Sequence, residues 1–499
     1  MSDTQNVMPK KRPLVFESVS LSLFSADIIA LIISFALAWV TAPVLKDLIA
    51  PDIYVRPLTE YKKIHDLFFI WMCPLVLYMF FMKGHYTQRV PWWSQVQQVL
   101  VICLIAYTID GFTRFALNMS FSRALIGLSW LYAFFLCLGA RQIVYYITRK
   151  KGLWRIPTII IGDTETVTNA LYAFSADRYT GYNITKIYLR DADNAPFDID
   201  TLPSQYHNVE IHREQPDYID LIAENIDHFF VISLETFRGS ERDEIINTLS
   251  RLSALYAMIP PLSRMSMFEM EPRYFFGHDI MLLHAKNEVF SPLGRFAKRA
   301  LDIVVSACAL LVLLPIIIIV GLALKLEGQG GSIFYGGHRI GRYGQRFKCW
   351  KFRSMEPNSD HLMEKLLKEN PEAKAEWEEY RKLKSVPDPR VTTRTARFIR
   401  KASIDELPQL WNVLRGDMSL VGPRPILNDE VILFGSAIDE YLIVRPGITG
   451  LWQVSGRNDT TFQRRVYWDS WYVRNWSLWG DIVIMLKTIR VLLDRSGAY

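Results

Sequence analysis

Cysteine is scarce and unpaired in this 499-residue chain: Cys73, Cys103, Cys137, Cys308 and Cys349 are odd in number, include no C-x-x-C pair, and the first four lie in apolar runs. A disulfide framework and a zinc site are therefore not expected. No His stands near Cys349 to activate it, which argues against a thiol nucleophile. The amino terminus, Met1 to Pro13, has Lys10, Lys11 and Arg12 before a long apolar stretch but lacks a small-residue cleavage site, so it reads as a retained anchor. Charge is also sparse. Only 22% of residues are charged while 50% are hydrophobic, a balance that points to membrane segments. The net charge of +6 says less about partners than the places where Lys and Arg cluster beside apolar runs, and no nucleic-acid partner is expected. The length suggests about three domains.

Apolar runs at Leu21 to Leu45, Leu67 to Met82, Val96 to Leu117 and Ala124 to Thr148 each approach the roughly 20 residues needed to cross a bilayer. Four transmembrane helices are expected over residues 1–150. The basic clusters Lys10/Lys11/Arg12, Lys83/Arg89 and Arg149/Lys150/Lys151/Arg155 fall on one side of that pattern. Both the amino terminus and everything after residue 150 should then lie in the cytoplasm, as in a multi-pass protein of a bacterial inner membrane. Asp110 and Arg114 stand i, i+4 inside the third run and read as a self-satisfying structural pair, not a transport path.

From Ile156 to about Lys286, short β-branched runs alternate with helical ones, which suggests a Rossmann-like α/β module over residues 151–287. At the first strand-to-helix turn, where a dinucleotide-binding fold carries G-x-G-x-x-G, only Gly162 is present. The missing glycines deny a pyrophosphate close approach, and Asp163 and Glu165 would repel one. The module is expected to be structural, regulatory or partner-binding. The pairs Asp191/Asp193 and Asp198/Asp200 match the short D-x-D pattern of metal-dependent glycosyltransferases, yet they sit in a loop rich in Asp, Asn and Pro and read as a solvated turn.

Leu301 to Leu324 is a fifth apolar run, 24 residues long and sufficient to span a membrane. Pro315 interrupts it, Asp302 lies in its first turn, and basic residues flank both ends: Arg295, Lys298 and Arg299 before, Lys325 after. A helix that enters, bends at Pro315 and returns keeps both flanks on one face, so a re-entrant hairpin is expected at about residues 300–325. Between Gly328 and Met355 there are six cations and no acidic residue. In "KCWKFRSM" the closely spaced Lys351 and Arg353 are candidates to face a phosphate.

The segment "DPRVTTRTARFIRKASIDELPQLWNVLRGDMSLVGPRPILNDE", Asp388 to Glu430, holds the adjacent carboxylates Asp405 and Glu406 after the cations Arg400 and Lys401. Like charges repel unless something positive is shared, and a divalent metal with substrate phosphates would supply it. Mg2+ held by Asp405 and Glu406 is therefore the expected cofactor. Ser403 could cap the helix that follows. Arg424, fixed between prolines in "VGPRP", suits bidentate phosphate binding, and Arg457 in "SGRN" is a weaker candidate for the same cluster.

This segment resembles, nearly residue for residue, the signature of the bacterial sugar transferases that act on polyprenyl phosphates, the monotopic phosphoglycosyl transferases. The resemblance runs from about Phe290 to Tyr499, giving a catalytic domain over residues 288–499. With the four spans and the degenerate module in front, the chain looks like the long WbaP-type members, which transfer galactose 1-phosphate to undecaprenyl phosphate; "GLWQVSGRND" and the ending "SGAY" fit that subgroup. Where the family usually has Ser before the helix-breaking proline, this chain has Leu314-Pro315. The resemblance implies Asp405 as the nucleophile that attacks the sugar-bearing phosphate of a UDP-sugar and expels UMP. Glu406 is implied as a metal ligand or base; the cations Lys351, Arg353, Arg400, Lys401, Arg424 and Arg457, read from their positions in the sequence, are expected around the substrates. Membrane lipids are expected around the chain, and a homodimer is one expected assembly.

Glucose-transferring relatives share these residues, so the sugar stays open. A non-catalytic scaffold of polysaccharide assembly is a competing reading, and a D-x-D glycosyltransferase, which would release UDP, is another. The fold expected is an α-helical membrane protein carrying a cytoplasmic α/β module and a mostly helical, membrane-associated catalytic domain.

Overall fold

The computed structural model describes residues 14–49, 62–117, 122–190, 197, 202–214, 216–237, 239–252, 254–260, 271–274, 281–284, 291–327, 332–356, 359–380, 388–455 and 461–493. The acidic repeats Asp191/Asp193 and Asp198/Asp200, and Arg457, lie outside them. The chain divides into two compact units, Met1–Pro261 and Leu262–Tyr499.

In the first unit, the apolar runs form α1 (Leu14–Ile49), α2 (Lys62–Met82), α3 (Trp92–Ala116) and α4 (Arg123–Lys150). Their shared core includes Leu31 of α1, Val76 and Phe80 of α2, Val99 and Ile102 of α3, and Ala133 and Cys137 of α4. A polar clamp runs through this bundle. Arg141 on α4 donates to Asp27 on α1 at 2.8 Å, and the Tyr86 hydroxyl donates to the same carboxylate at 2.7 Å. Asp110 pairs with Arg114 one turn on and accepts from the Trp130 indole at 3.2 Å, so the pair is satisfied within the bundle. Among the described residues, the helices long and apolar enough to cross a membrane are α1, α3, α4 and a fourth that belongs to the second unit; the described apolar part of α2, Phe69–Met82, is shorter.

A five-stranded parallel sheet follows, built from β1 (Ile156–Gly162), β2 (Tyr182–Leu189), β3 (Glu210–His212), β4 (Phe229–Ser233) and β5 (Leu255–Ile259) in the order β3-β2-β1-β4-β5. Helices α5 (Thr164–Ala176), α6 (Tyr218–Glu224) and α7 (Ser240–Arg251) connect the strands. This is the doubly wound arrangement, with its switch point at the carboxyl ends of β1 and β4. That point is closed by the chain itself. The Asp163 carboxylate accepts from the Thr166 backbone N–H at 2.8 Å, where a dinucleotide phosphate would sit, and faces the Ser233 and Thr236 hydroxyls at 3.4 Å. At Gly162 an added Cβ would meet the Ser233 Cβ at 2.9 Å, so glycine serves strand packing here.

The second unit opens with the small hairpin β6 (Glu271–Tyr274) and β7 (Met281–His284), then α8 (Pro292–Leu326), the fourth of the long apolar helices. Hydrogen bonding assigns α8 as one helix with Pro315 inside it. Both of its ends are held by the same unit. Near the start, Arg299 donates to the carbonyls of Val413 and Leu414 at 2.7 and 2.8 Å, and Asp302 accepts from the Ser419 hydroxyl and the Leu420 N–H at 3.0 and 3.1 Å. Near the finish, Val320 and Leu324 pack with Phe352 and Ile399. Leu311, Val312, Ile318 and Ile319 in between are exposed.

The remainder comprises the hairpin β8 (Phe334–Ile340) and β9 (Arg346–Phe352), then α9 (Asp360–Glu369), α10 (Pro371–Tyr380), α11 (Arg394–Lys401) and α12 (Gln409–Arg415). Strand β10 (Ser419–Val421) pairs in parallel with β11 (Gly447–Thr449) across α13 (Ile438–Ile443), and α14 (Leu451–Ser455), α15 (Phe462–Arg474) and α16 (Leu478–Leu493) complete the unit. The core gathers Cys349, Leu410, Val413, Val421, Tyr472 and Ile484 from five of these elements.

Candidate active site

Alternation along β9 puts Cys349 and Lys351 on one face and Trp350 and Phe352 on the other. Asn412 on α12 is fully buried and stitches this strand to its helix: its Oδ1 accepts from the Trp350 N–H at 2.9 Å, and its Nδ2 donates to the Lys348 carbonyl at 2.8 Å. The helix so fixed is the one that follows Asp405 and Glu406, which sets the carboxylates against Lys351.

Between α11 and α12 the chain reverses within a few residues. Ser403 makes the reversal with a left-handed backbone, φ 56°, and its side chain caps nothing. The expected Ser403 cap is thus corrected: Ile404–Glu406 form a single 3-10 turn, and α12 starts only at Gln409. The left-handed conformation is costly for a residue with a Cβ and marks a place where surrounding structure dictates the backbone.

Lys351 Nζ donates to Glu406 Oε1 at 2.6 Å. Burial alone would raise the Glu406 pKa, but the Lys351 ammonium, aided by Arg424 and Arg400, outweighs it and holds that carboxyl below its usual range. Asp405 goes the other way. Burial first, and the Glu406 charge with it, push it up to about 6 against the pull of Lys351 and Arg400. Lys351 stays charged because Glu406 and Asp405 outweigh the burial that would lower it. Adjacent carboxyls driven apart in this way are suited to different tasks.

Arg400, at the end of α11, reaches Asp388 at 3.5 Å. Asp388 accepts two bonds from the Arg390 guanidinium, both 2.9 Å, and one from the Arg390 backbone N–H at 3.1 Å, and these with the Arg390 charge overcome its burial to hold it below the usual carboxylate range. Arg424 follows β10, where the backbones of Gly422 and Gly447 run too close to admit a side chain. Its guanidinium lies 6.0 Å from the Trp452 ring. The charges acting most strongly on the carboxylate pair are therefore Lys351, Arg400 and Arg424. Arg353 instead donates to the Ser332 carbonyl at 2.7 Å and lies over Tyr335, and Lys401 is exposed at the end of α11. The Cys349 thiol is buried beneath the site and pushed up by that burial, which leaves it no nucleophilic part.

Among the described residues no three of His, Cys, Asp and Glu gather as a metal cage. Mg2+ prefers one or two carboxylates completed by substrate phosphate oxygens, and Asp405 with Glu406 fits that donor set.

Several supporting residues gave little sign in the sequence. Lys298 on α8 donates to Asp481 on α16 at 2.6 Å, and Tyr472 and Trp476 bond the same carboxylate at 2.7 and 3.1 Å. Lys298 also donates to the Val421 carbonyl, three residues before Arg424, at 3.0 Å, and the Tyr472 hydroxyl oxygen lies 3.0 Å from that carbonyl. The one available signal was an acidic residue inside an apolar helix, as with Asp302.

Residues 293–495 match the family model described as bacterial sugar transferase. The UDP-galactose-lipid carrier transferase of Erwinia amylovora is 38% identical over 416 residues, covering 83% of this chain and 84% of that protein. The chain belongs to the bacterial sugar transferase family. The undecaprenyl-phosphate galactose phosphotransferase of Salmonella typhimurium, 37% identical over 423 residues and with the same coverage, shares the long architecture. The exopolysaccharide production protein ExoY of Rhizobium meliloti is 49% identical over 208 residues, which are 90% of that protein and 42% of this chain. As a sugar transferase of the WbaP type, this protein joins the α-helical bundle and parallel sheet to a family domain that contains every element of the carboxylate site.

Proposed function

We propose that this enzyme transfers galactose 1-phosphate from UDP-galactose to undecaprenyl phosphate and releases UMP. The observation that carries the reading is the Asp405–Glu406 turn with Lys351, Arg400 and Arg424 acting on it, inside the family domain. The names of the long relatives, a UDP-galactose-lipid carrier transferase and an undecaprenyl-phosphate galactose phosphotransferase, support the galactose and the lipid.

Asp405 attacks the sugar-bearing phosphorus, the bond to the UMP oxygen breaks, and a phosphosugar-aspartyl acyl phosphate forms. An oxygen of the lipid phosphate then attacks the same phosphorus, and the Asp405 carboxylate leaves. Lys351 keeps Glu406 ionised, while Arg400 and Arg424 offset charge on the diphosphate. Mg2+, held by Glu406 and Asp405, would neutralise phosphate charge when bound.

The same reading places the protein in the inner membrane with the family domain on the cytoplasmic face, where nucleotide sugars are made. It takes α2 as a fourth crossing of the first unit and α8 as re-entrant. A straight α8 would be about 52 Å long at 1.5 Å per residue. Support for a return comes from its two ends, which one unit holds, and from its exposed apolar middle.

The test is full-length protein in lipid nanodiscs with Mg2+, polyprenyl phosphate and either UDP-galactose or UDP-glucose. UMP release with UDP-galactose, lost in Asp405→Asn, is the expected result. Release of UDP, or a rate unchanged by the substitution, would overturn the proposal.

A further inference from the structure

Helix α15 carries two charged side chains one turn apart, Arg465 and Asp469, that the chemistry above leaves unused. Both are deeply buried, at 7% and 2% exposure. A buried i, i+4 Arg and Asp would ordinarily close on each other, because each unpaired polar atom costs solvation free energy. Here no side chain among the described residues bonds either Asp469 oxygen, which only the Arg424 backbone N–H approaches, and Arg465 Nη2 is without a partner.

The Arg465 guanidinium instead lies 4.5 Å from the Phe462 ring and 5.6 Å from the Trp452 ring. Arg424 approaches that same indole at 6.0 Å. Two guanidiniums thus share one aromatic ring, and Arg424 in turn acts on Glu406. Burial, with the Arg424 charge, lowers the Arg465 pKa to about 10, so the group stays cationic at neutral pH. Burial raises Asp469 to about 8 against the pull of Arg465 and of the Arg424 backbone and charge, so its carboxyl carries a proton there and can donate. Unfilled buried donors and excess positive charge beside the carboxylates complement an anion with several acceptor oxygens.

We infer that Arg465 and Asp469, with Arg424 across Trp452, form a second phosphate subsite next to Asp405–Glu406, taking the phosphate monoester that is not under attack. The inference rests on the transferase reading above. That monoester has two sources, the departing UMP or the incoming polyprenyl phosphate, and both present the same dianionic group.

The test uses the full chain in nanodiscs and measures kcat and KM for UDP-galactose and for polyprenyl phosphate separately, with UMP product inhibition and the melting temperature alongside. Arg465→Gln should raise one KM about tenfold while the melting temperature moves little, and Arg465→Lys should recover part of that loss. A matching rise in the UMP inhibition constant assigns the subsite to the nucleotide; an unchanged one with a raised lipid KM assigns it to the lipid. Asp469→Leu, which removes the donor, should shift the same KM as Arg465→Gln. Unchanged KM values in Arg465→Gln, or a loss of kcat and melting temperature with no change in KM, would overturn the subsite. UMP release by the wild type and its loss in Asp405→Asn test the reaction independently, so either idea can fail without the other.

Discussion

Lys351 Nζ and Glu406 Oε1 stand 2.6 Å apart, joining a strand to a turn 55 residues further along the chain. That contact holds Glu406 ionised beside Asp405. Lys351→Met should lower turnover by about a hundredfold or more, the scale seen when one charge-stabilising donor is removed. The pair is only half-buried, so the stability loss should be modest, about 1 to 2 kcal/mol. Steady-state rates and thermal melts on the same preparation separate the two effects, and a large melt shift with an intact rate would contradict the assigned role.

Ser403 holds a left-handed backbone just before the carboxylate turn. Glycine adopts that conformation without a Cβ penalty, so Ser403→Gly should stabilise the protein by up to about 1 kcal/mol. Ser403→Val should destabilise it and disturb the placement of Asp405. Melting temperatures of the two variants should fall on opposite sides of the wild type.

Burial pushes the Asp469 carboxyl up to about 8 in the folded chain, against about 3.9 for a free aspartate side chain. Between these limits the unfolded chain has lost the proton and the folded chain keeps it, so stability falls as pH rises, at most about 1.4 kcal/mol per pH unit. Below the lower limit both states are protonated and the penalty vanishes. Asp469→Asn removes the titration, and its advantage over the wild type should grow from pH 4 to pH 8 in thermal melts. A constant difference across that range would show that Asp469 does not titrate as described.

In the α/β module, Asp163 fills the helix terminus that a dinucleotide would use. NAD and NADP at millimolar concentration should leave the melting temperature unchanged. Asp163→Ala should cost about 1 kcal/mol through loss of the cap, with no gain of binding. A dinucleotide-dependent melt shift in the wild type would contradict the closed switch point.

The parts legible in the sequence were those set by local pattern. Apolar length revealed the helices that begin at Leu14, Trp92 and Arg123, β-branched alternation revealed the parallel sheet, and the adjacency of Asp405 and Glu406 after Arg400 and Lys401 singled out the carboxylate pair, though not the turn that carries it. The strands Glu210–His212 and Leu255–Ile259 were missed because three to five residues carry too little periodicity. Asn412, Asp481 and the Arg465/Asp469 pair were invisible for a different reason. Each acquires its meaning from partners far away in the chain, such as the Lys348 carbonyl, Lys298 or Trp452, and no spacing rule joins them. Ser403 misled because serine before a helical run is ordinarily a cap, whereas here the need for a sharp reversal sets its backbone.

The most direct test of the central claim is intact-mass analysis of the full-length protein incubated with UDP-galactose and Mg2+ but no lipid acceptor. The account predicts an added mass of one hexose phosphate, mapped to Asp405, formed with an equal amount of UMP and discharged when polyprenyl phosphate is supplied. No adduct in Asp405→Asn completes the expected result. An adduct that persists in that variant, or UDP as the released nucleotide, would contradict it.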